Sequence, residues 1–242
     1  LAEKSVQIKE SRGQATRRAL ISAAERLFAE KGPAHVTIRE INELAGQKNE
    51  SALQYHFKNL AGLVAATHRF RDEQIVAARR VCLQELMQRT QKPTLHDVAY
   101  LMVAPTFALG RLHEDFRYYI RAFSLSLASG DTPVLTTVRR GDGETDRQIA
   151  GLLRPRLAHL DADSYNRRLE SAIRFVSVSM YVHSHQPDAF HGPESDRFFD
   201  ELIDALVGLL SAKESSQAAS RATSQKTSLS SRLSLILQNL DA

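Results

Sequence analysis

The sequence predicts an all-α protein, a three-helix N-terminal head followed by a larger helical body. Three observations carry that expectation. Apolar residues recur at three- and four-residue spacings in most segments. Good capping residues and helix breakers fall between those segments. No stretch alternates polar and apolar residues in the manner of a half-buried strand.

The bulk properties agree with this class. The chain has 242 residues, 43% hydrophobic and 25% charged, ordinary values for one or two globular domains with a real core. No apolar run approaches the roughly 18 residues of a membrane span. The chain opens without a secretory pattern, so a cytoplasmic location is expected. Cys82 stands alone, which excludes an intramolecular disulfide framework and a cysteine zinc cluster. Charge is unevenly placed. Residues 1–71 hold 12 Lys/Arg against 7 Asp/Glu, and the remaining 171 hold 20 against 21. The positive excess therefore belongs to the N-terminal segment, as a polyanion-binding end requires.

In chain order, residues 1–13 are polar and basic and read as a flexible arm. From Thr16, a plausible N-cap, Leu20, Ala23, Ala24, Leu27 and Phe28 mark one face of a helix that Gly32-Pro33 ends. Thr37 and Glu40 form a capping box for a second helix, with Ile38, Ile41, Leu44 and Ala45 as its buried stripe and Gly46 as its stop. Asn49 is placed to cap a third helix anchored by Leu53 and Phe57. Asn59 is placed to cap a fourth, carrying Leu60, Leu63, Val64 and Thr67. A separate amphipathic run extends from Asp72 to Gln91. Pro105 is expected to kink or break the apolar segment Thr94–Arg111.

An aromatic segment, Phe116–Ala128, precedes turn signals at Ser129-Gly130-Asp131 and Gly141-Asp142-Gly143. Helical patterns then cover Ile149–Leu157, Ser164–Val182 and Ser195–Leu210. The apolar stripe of the last is too wide for one face of a surface helix, which suggests packing on two sides and a subunit interface. Residues 213–242 form a Ser-rich tail with a possible short helix. The expected division is 1–13 arm, 14–64 head, 65–212 body and 213–242 tail.

The segment Val36–Val64 has the form of a helix-turn-helix. Ser51 and Gln54, with Glu50, offer hydrogen-bonding groups on one face of its second helix, while Leu53 and Phe57 point inward. Gln54 is suited to pair with adenine and Glu50 to accept from cytosine. Tyr55, His56 and Lys58 suit phosphate contacts, as do Asn49 at the helix start, Thr37 and Arg39 on the preceding helix, and Arg17 and Arg18 on the first.

The text TRRALISAAERLFAEKG, then VTIREINELAG, then LQYHFKNLAGLV resembles the N-terminal domain of the tetracycline-repressor (TetR) family of transcriptional regulators. Tyr55-His56-Phe57 is its most specific part. The chain departs from the family's usual pattern in two places. The turn at Gln47-Lys48-Asn49 is one residue longer, and Leu60 stands where a Lys or Arg is common, leaving Lys58 to take over that phosphate contact.

The resemblance implies a ligand-responsive DNA-binding regulator, a repressor held as a homodimer on a palindromic operator and released by a small, mostly apolar effector. It makes Tyr100, Met102, Phe107, Phe116, Tyr119, Phe123 and Phe175 candidates for an effector pocket, where each residue alone reads as core packing. Leu169, Ile173, Val176, Phe199, Leu202, Leu206 and Leu209 are the candidate dimer surface. The alternative is a helical small-molecule-binding or interaction module whose degenerate head does not bind DNA. Leu60 and the longer turn favour it.

Other chemistry is weakly represented. His183, His185 and His191 are spaced for imidazole ligation but lack a carboxylate or thiol partner at fixed spacing, and read as a loop. No nucleophile elbow, Gly-rich phosphate loop or paired-carboxylate motif is present. No catalytic role, metal or cofactor is expected. The expected partners are double-stranded DNA, a second copy of the chain and a small-molecule effector, with no membrane.

Overall fold

The computed structural model describes residues 12–49, 51–128 and 143–213, all of whose regular elements are helical. Most of the basic arm, Glu50, the turn signals from 129 to 142 and the Ser-rich tail from 214 lie outside the described residues.

Helix α1 (Arg12–Lys31) buries Leu20, Ala24 and Phe28 and ends where Gly32 takes a φ of 78°. It begins earlier than Thr16, which lies inside it. The threonine has good cap chemistry, but the polar residues before it tolerate helix and nothing there breaks it. Pro33–His35 form a short 3-10 turn. Helix α2 (Ile38–Leu44) opens on the expected capping box, with Thr37 and Glu40 each satisfying the other's backbone N–H. Such a cap contributes about 1 kcal/mol. Ile41 is fully buried, but Leu44 is 46% exposed, because a shallow hollow between α1 and the end of α2 leaves it uncovered. That hollow, about 280 Å³, is lined by Ala19, Ser22, Ala23, Arg26, Leu44 and Ala45.

Helix α3 (Ala52–Phe57) starts later than Asn49. Asn49 still closes the preceding turn, its Oδ1 accepting from the Ser51 N–H at 2.9 Å and its carbonyl from Ala52 N–H at 3.0 Å. Asn59 caps α4 as expected, its Oδ1 accepting from Gly62 N–H at 2.8 Å. The helix it starts is a single 30-residue rod, Leu60–Arg89, that joins the expected fourth helix to the amphipathic run after Asp72. No breaker separates the two stretches.

Helix α5 (Leu95–Leu112) runs unbroken through Pro105. Proline in a helix interior costs about 3 kcal/mol. Burying Leu101, Val103 and Phe107 around it supplies more, at about 1.5–3 kcal/mol per side chain. The remaining helices are α6 (Glu114–Ala128), α7 (Gly143–Arg156), α8 (Ala162–Ser184) and α9 (Gly192–Ser211).

Among the described residues, two larger apolar cores result, beside a small cluster of Leu83, Leu86 and Leu101 where α4 meets α5. One joins α1, α2, α3 and the start of α4, and takes in Ala122 and Phe123 of α6. The other fills the body between α5, α6, α7, α8 and α9. The wide stripe of α9 has an explanation inside the chain, since α9 packs against both α5 and α8. Leu202 and Leu206 are accordingly buried at 3% and 0% exposure and are not available to a second subunit. Leu169, Ile173, Val176, Phe199 and Leu209 are only half-buried. Val178 and Val182, which the expected surface omitted, are exposed on α8.

Candidate nucleic-acid interface

The second helix of the head is built on two anchors. Leu53 and Phe57 are buried at 0% and 5% exposure, whereas Ser51, Gln54 and Lys58 are exposed and Tyr55 is 85% exposed. Six residues cannot hold a helix in water by themselves, so packing of Leu53 and Phe57 supplies its stability. Arg17 of α1 lies with its guanidinium 4.7 Å from the centre of the Phe57 ring. This ties the first helix to the third and keeps a cation beside the exposed face. His56 is half-buried and meets Tyr55 edge-on at 5.0 Å. Arg18 and Asn49 are exposed.

The junction between α3 and α4 is tight. Lys58 has φ 70° and ψ −46°, and the Asn59 N–H donates to the Phe57 carbonyl at 2.9 Å across it. That is a γ-turn of the strained kind. Gly62 is required beside it, because a Cβ there would lie 2.0 Å from the same Phe57 carbonyl oxygen. The turn holds α3 at a fixed angle to α4 and leaves the Lys58 side chain in solvent.

On α2, Thr37 is exposed but engaged, donating Oγ1 to Glu40 at 2.7 Å while Lys31 meets the other carboxylate oxygen at 2.6 Å. The Lys31 hydrogen bond, followed by those from the Thr37 backbone and side chain, lowers the Glu40 carboxyl to about 2. Arg39 pairs with Glu43 at 2.8 Å in full solvent, an arrangement readily exchanged for a phosphate.

A buried ionic group, unforeseen in the sequence, fixes the head to the body. Arg71 of α4 is 1% exposed and grips Glu25 of α1 through Nε and Nη2 at 2.7 and 2.5 Å. Nη2 also donates to Asp115 of α6 at 2.8 Å, and Nη1 to Gln74 at 2.9 Å. Burial pushes the Glu25 carboxyl up, opposed by these Arg71 contacts. Glu25 sits within the apolar face of α1 formed by Ile21, Ala24 and Phe28, and that interruption was the available signal.

The seven aromatic and Met candidates of the body do not gather around one point. Phe116, Tyr119 and Phe123 form a row along α6 with ring centres 5.5 and 5.2 Å apart. Phe123 reaches His68 at 4.4 Å and Phe28 of the head at 5.9 Å. Phe107 belongs to a different group with Phe190 and Phe199, and Phe199 meets Tyr100 at 5.6 Å. Met102 and Phe175 pack against the body core.

The three histidines also separate. His183 is a core residue, stacked on Phe198 at 3.9 Å, with Nε2 accepting from Phe190 N–H at 3.1 Å and lying 3.0 Å from Ser195 Oγ. His185 meets the Tyr181 carbonyl and His191 lies beside Arg117.

A short helix with an outward polar face, set by a tight turn against a preceding capped helix, is a helix-turn-helix architecture. Residues 20–67 match the family described as bacterial regulatory proteins, tetR family.

Solved structures with similar folds include the transcriptional regulator FadR from Bacillus subtilis in complex with stearoyl-CoA. It is 15% identical, with a TM-score of 0.51, and the match covers 82% of this chain and 99% of that one. Salmonella enterica GusR is 18% identical at a TM-score of 0.45, covering 84% and 100%. A tetR-family regulator from Streptomyces coelicolor is 16% identical at 0.47, covering 93% and 96%. No curated protein matches the sequence. Among the described residues, no helix is long and apolar enough to cross a membrane.

Proposed function

We propose that the chain is a ligand-responsive transcriptional repressor that binds a palindromic operator as a homodimer. The observation that carries this is the exposed row Ser51, Gln54, Tyr55 and Lys58 on a helix anchored by Leu53 and Phe57, inside the tetR-family segment. Two such helices, one per subunit, enter successive major grooves about 34–36 Å apart. Gln54 reads a base edge, with Glu50 as its partner in readout. Asn49, Tyr55, His56, Lys58, Thr37, Arg39, Arg17 and Arg18 set register on phosphates. The half-buried residues of α8 and α9, Leu169, Ile173, Val176, Phe199 and Leu209, support dimerisation. A small effector held in the body acts through α4, the rod shared by head and body, and FadR offers the precedent of a ligand-bound regulator with this fold. Coupling of about 1–3 kcal/mol gives a roughly 5–150-fold change in operator affinity.

The test is a gel shift with DNA from upstream of the chain's own gene, across a salt series. Affinity should fall steeply with salt as phosphate contacts release counterions. Gln54→Ala should relax preference at one base position at a cost of about 1–3 kcal/mol. Failure to bind any such DNA would favour an interaction module with a degenerate head, the outcome that Leu60 and the longer turn suggest.

A further inference from the structure

Helix α4 carries a polar row on its inner side. His68, Asp72 and Arg79, with the apolar Ile75 between the last two, follow one another at four-, three- and four-residue spacings and so stack along one face. Tyr119 of α6 and Asp146 of α7 meet that row. His68 Nδ1 lies 3.2 Å from the Tyr119 hydroxyl, and Arg79 donates Nη1 to Asp146 at 2.8 Å. The Arg79 and Asp146 side chains are each 16% exposed, and Arg79 Nε is buried without a hydrogen-bond partner among the described residues.

Asp72 is the odd member. It is half-buried, and among the described residues it has no hydrogen-bond or ion-pair partner. Burial pushes its carboxyl up, Arg79 opposes this, and Asp146 and Glu73 add to it. Tyr119 is half-buried, and its hydroxyl is pushed up by burial and then by Asp72.

The charges around this row do not balance. Among the described residues, Glu25, Asp115 and Asp146 form ion pairs with two guanidiniums, Arg71 and Arg79, and Asp72 lies in the field of Arg79. Arg71 is taken by Glu25 and Asp115, and the Arg79 hydrogen bond goes to Asp146, which leaves Asp72 with the attraction of Arg79 but no hydrogen-bonded partner among the described residues. A half-buried carboxylate without a partner is costly. One helical turn before it on α4 stands His68, whose ring meets Tyr119 at 5.8 Å and Phe123 at 4.4 Å. Carboxylate and aromatic walls together suit a cation bearing N–H donors on an apolar body. An anionic ligand would add a further negative charge, and Arg79 already serves Asp146.

Resting on the regulator function proposed above, we infer that Asp72, Tyr119 and His68 form the polar end of the effector site, and that the effector is a protonated amine with an apolar body. Arg71, the next residue before Asp72, holds Glu25 of the head. An amine drawn to Asp72 therefore acts one residue from the contact that sets the head against α4.

The experiment uses the full chain and three matched probes, 4-phenylbutylamine, 4-phenylbutanol and 4-phenylbutyrate, with binding measured by calorimetry. The amine should bind at least tenfold tighter than the alcohol, and Asp72→Asn should abolish that difference while keeping or raising the melting temperature. An alcohol that binds as well as the amine, tightest binding by the carboxylate, or an amine preference that survives Asp72→Asn would each overturn the inference. A gel shift on the same protein separates the two claims. DNA binding with no amine preference removes the amine site and leaves the regulator standing. An Asp72-dependent amine preference in a protein that binds no DNA supports the site and removes the regulator.

Discussion

Arg39 and Glu43 pair in open solvent on α2, with side chains 78% and 63% exposed, whereas Arg71 and Glu25 pair at the seam between head and body with 1% exposure each. The partners are chemically identical and their surroundings reverse their meaning. In water the attraction is screened, worth a few tenths of a kcal/mol, and a phosphate can replace the carboxylate at little cost. In the seam, both groups have lost their hydration, and each depends on the other and on Asp115 and Gln74 to remain charged. The exchangeable cation Arg39 therefore sits on a helix proposed to face DNA, and Arg71, which is not exchangeable, sits where the head is mounted.

The largest expected effect tests the buried side of this contrast. Arg71→Ala should destabilise the chain by about 3–5 kcal/mol, because Glu25 is left buried and unpaired. Urea denaturation measures it, and Arg71→Met combined with Glu25→Leu should recover most of the loss. A loss no larger than that of a surface pair would erase the distinction.

Next in size is Gly62→Ala. Its Cβ meets the Phe57 carbonyl oxygen at 2.0 Å, so the turn between α3 and α4 must shift, at about 1–3 kcal/mol. Melting temperature and operator affinity should fall together, since the same turn aims the recognition helix.

Lys58→Gly should separate those two readouts. Glycine accepts the positive φ, so stability should rise by about 1 kcal/mol while operator affinity drops with the lost cation. A rise in both would mean that Lys58 does not touch DNA. The smallest effect on stability belongs to Arg39→Ala, within about 0.5 kcal/mol. Its signature should instead be a reduction of about one in the slope of log affinity against log salt.

Much of this was readable in one dimension. The capping box at Thr37 and Glu40, the cap at Asn59, the stop at Gly32 and the inward Leu53 and Phe57 depend on spacings of three or four residues, which a helix turns directly into contacts. The misjudged features share another origin. Thr16 was not needed as a cap because the residues before it accept helix. Pro105 did not break α5 because the apolar residues around it are buried on several sides. Leu202 and Leu206 read as a free apolar surface because their burying partners lie on α5 and α8, about 100 and 30 residues away in sequence.

Local periodicity, caps and the lopsided charge were enough to establish an all-helical chain with a basic helix-turn-helix head, since each is a property of neighbouring residues. What tertiary structure decided was the pairing of distant groups. It joined Glu25 to Arg71 across 46 residues and brought Arg79 against Asp146 across 67. It also left Asp72 as a half-buried carboxylate with no hydrogen-bonded partner among the described residues. No spacing rule predicts such partners, because the balance of desolvation and attraction exists only once the chain has excluded water around them.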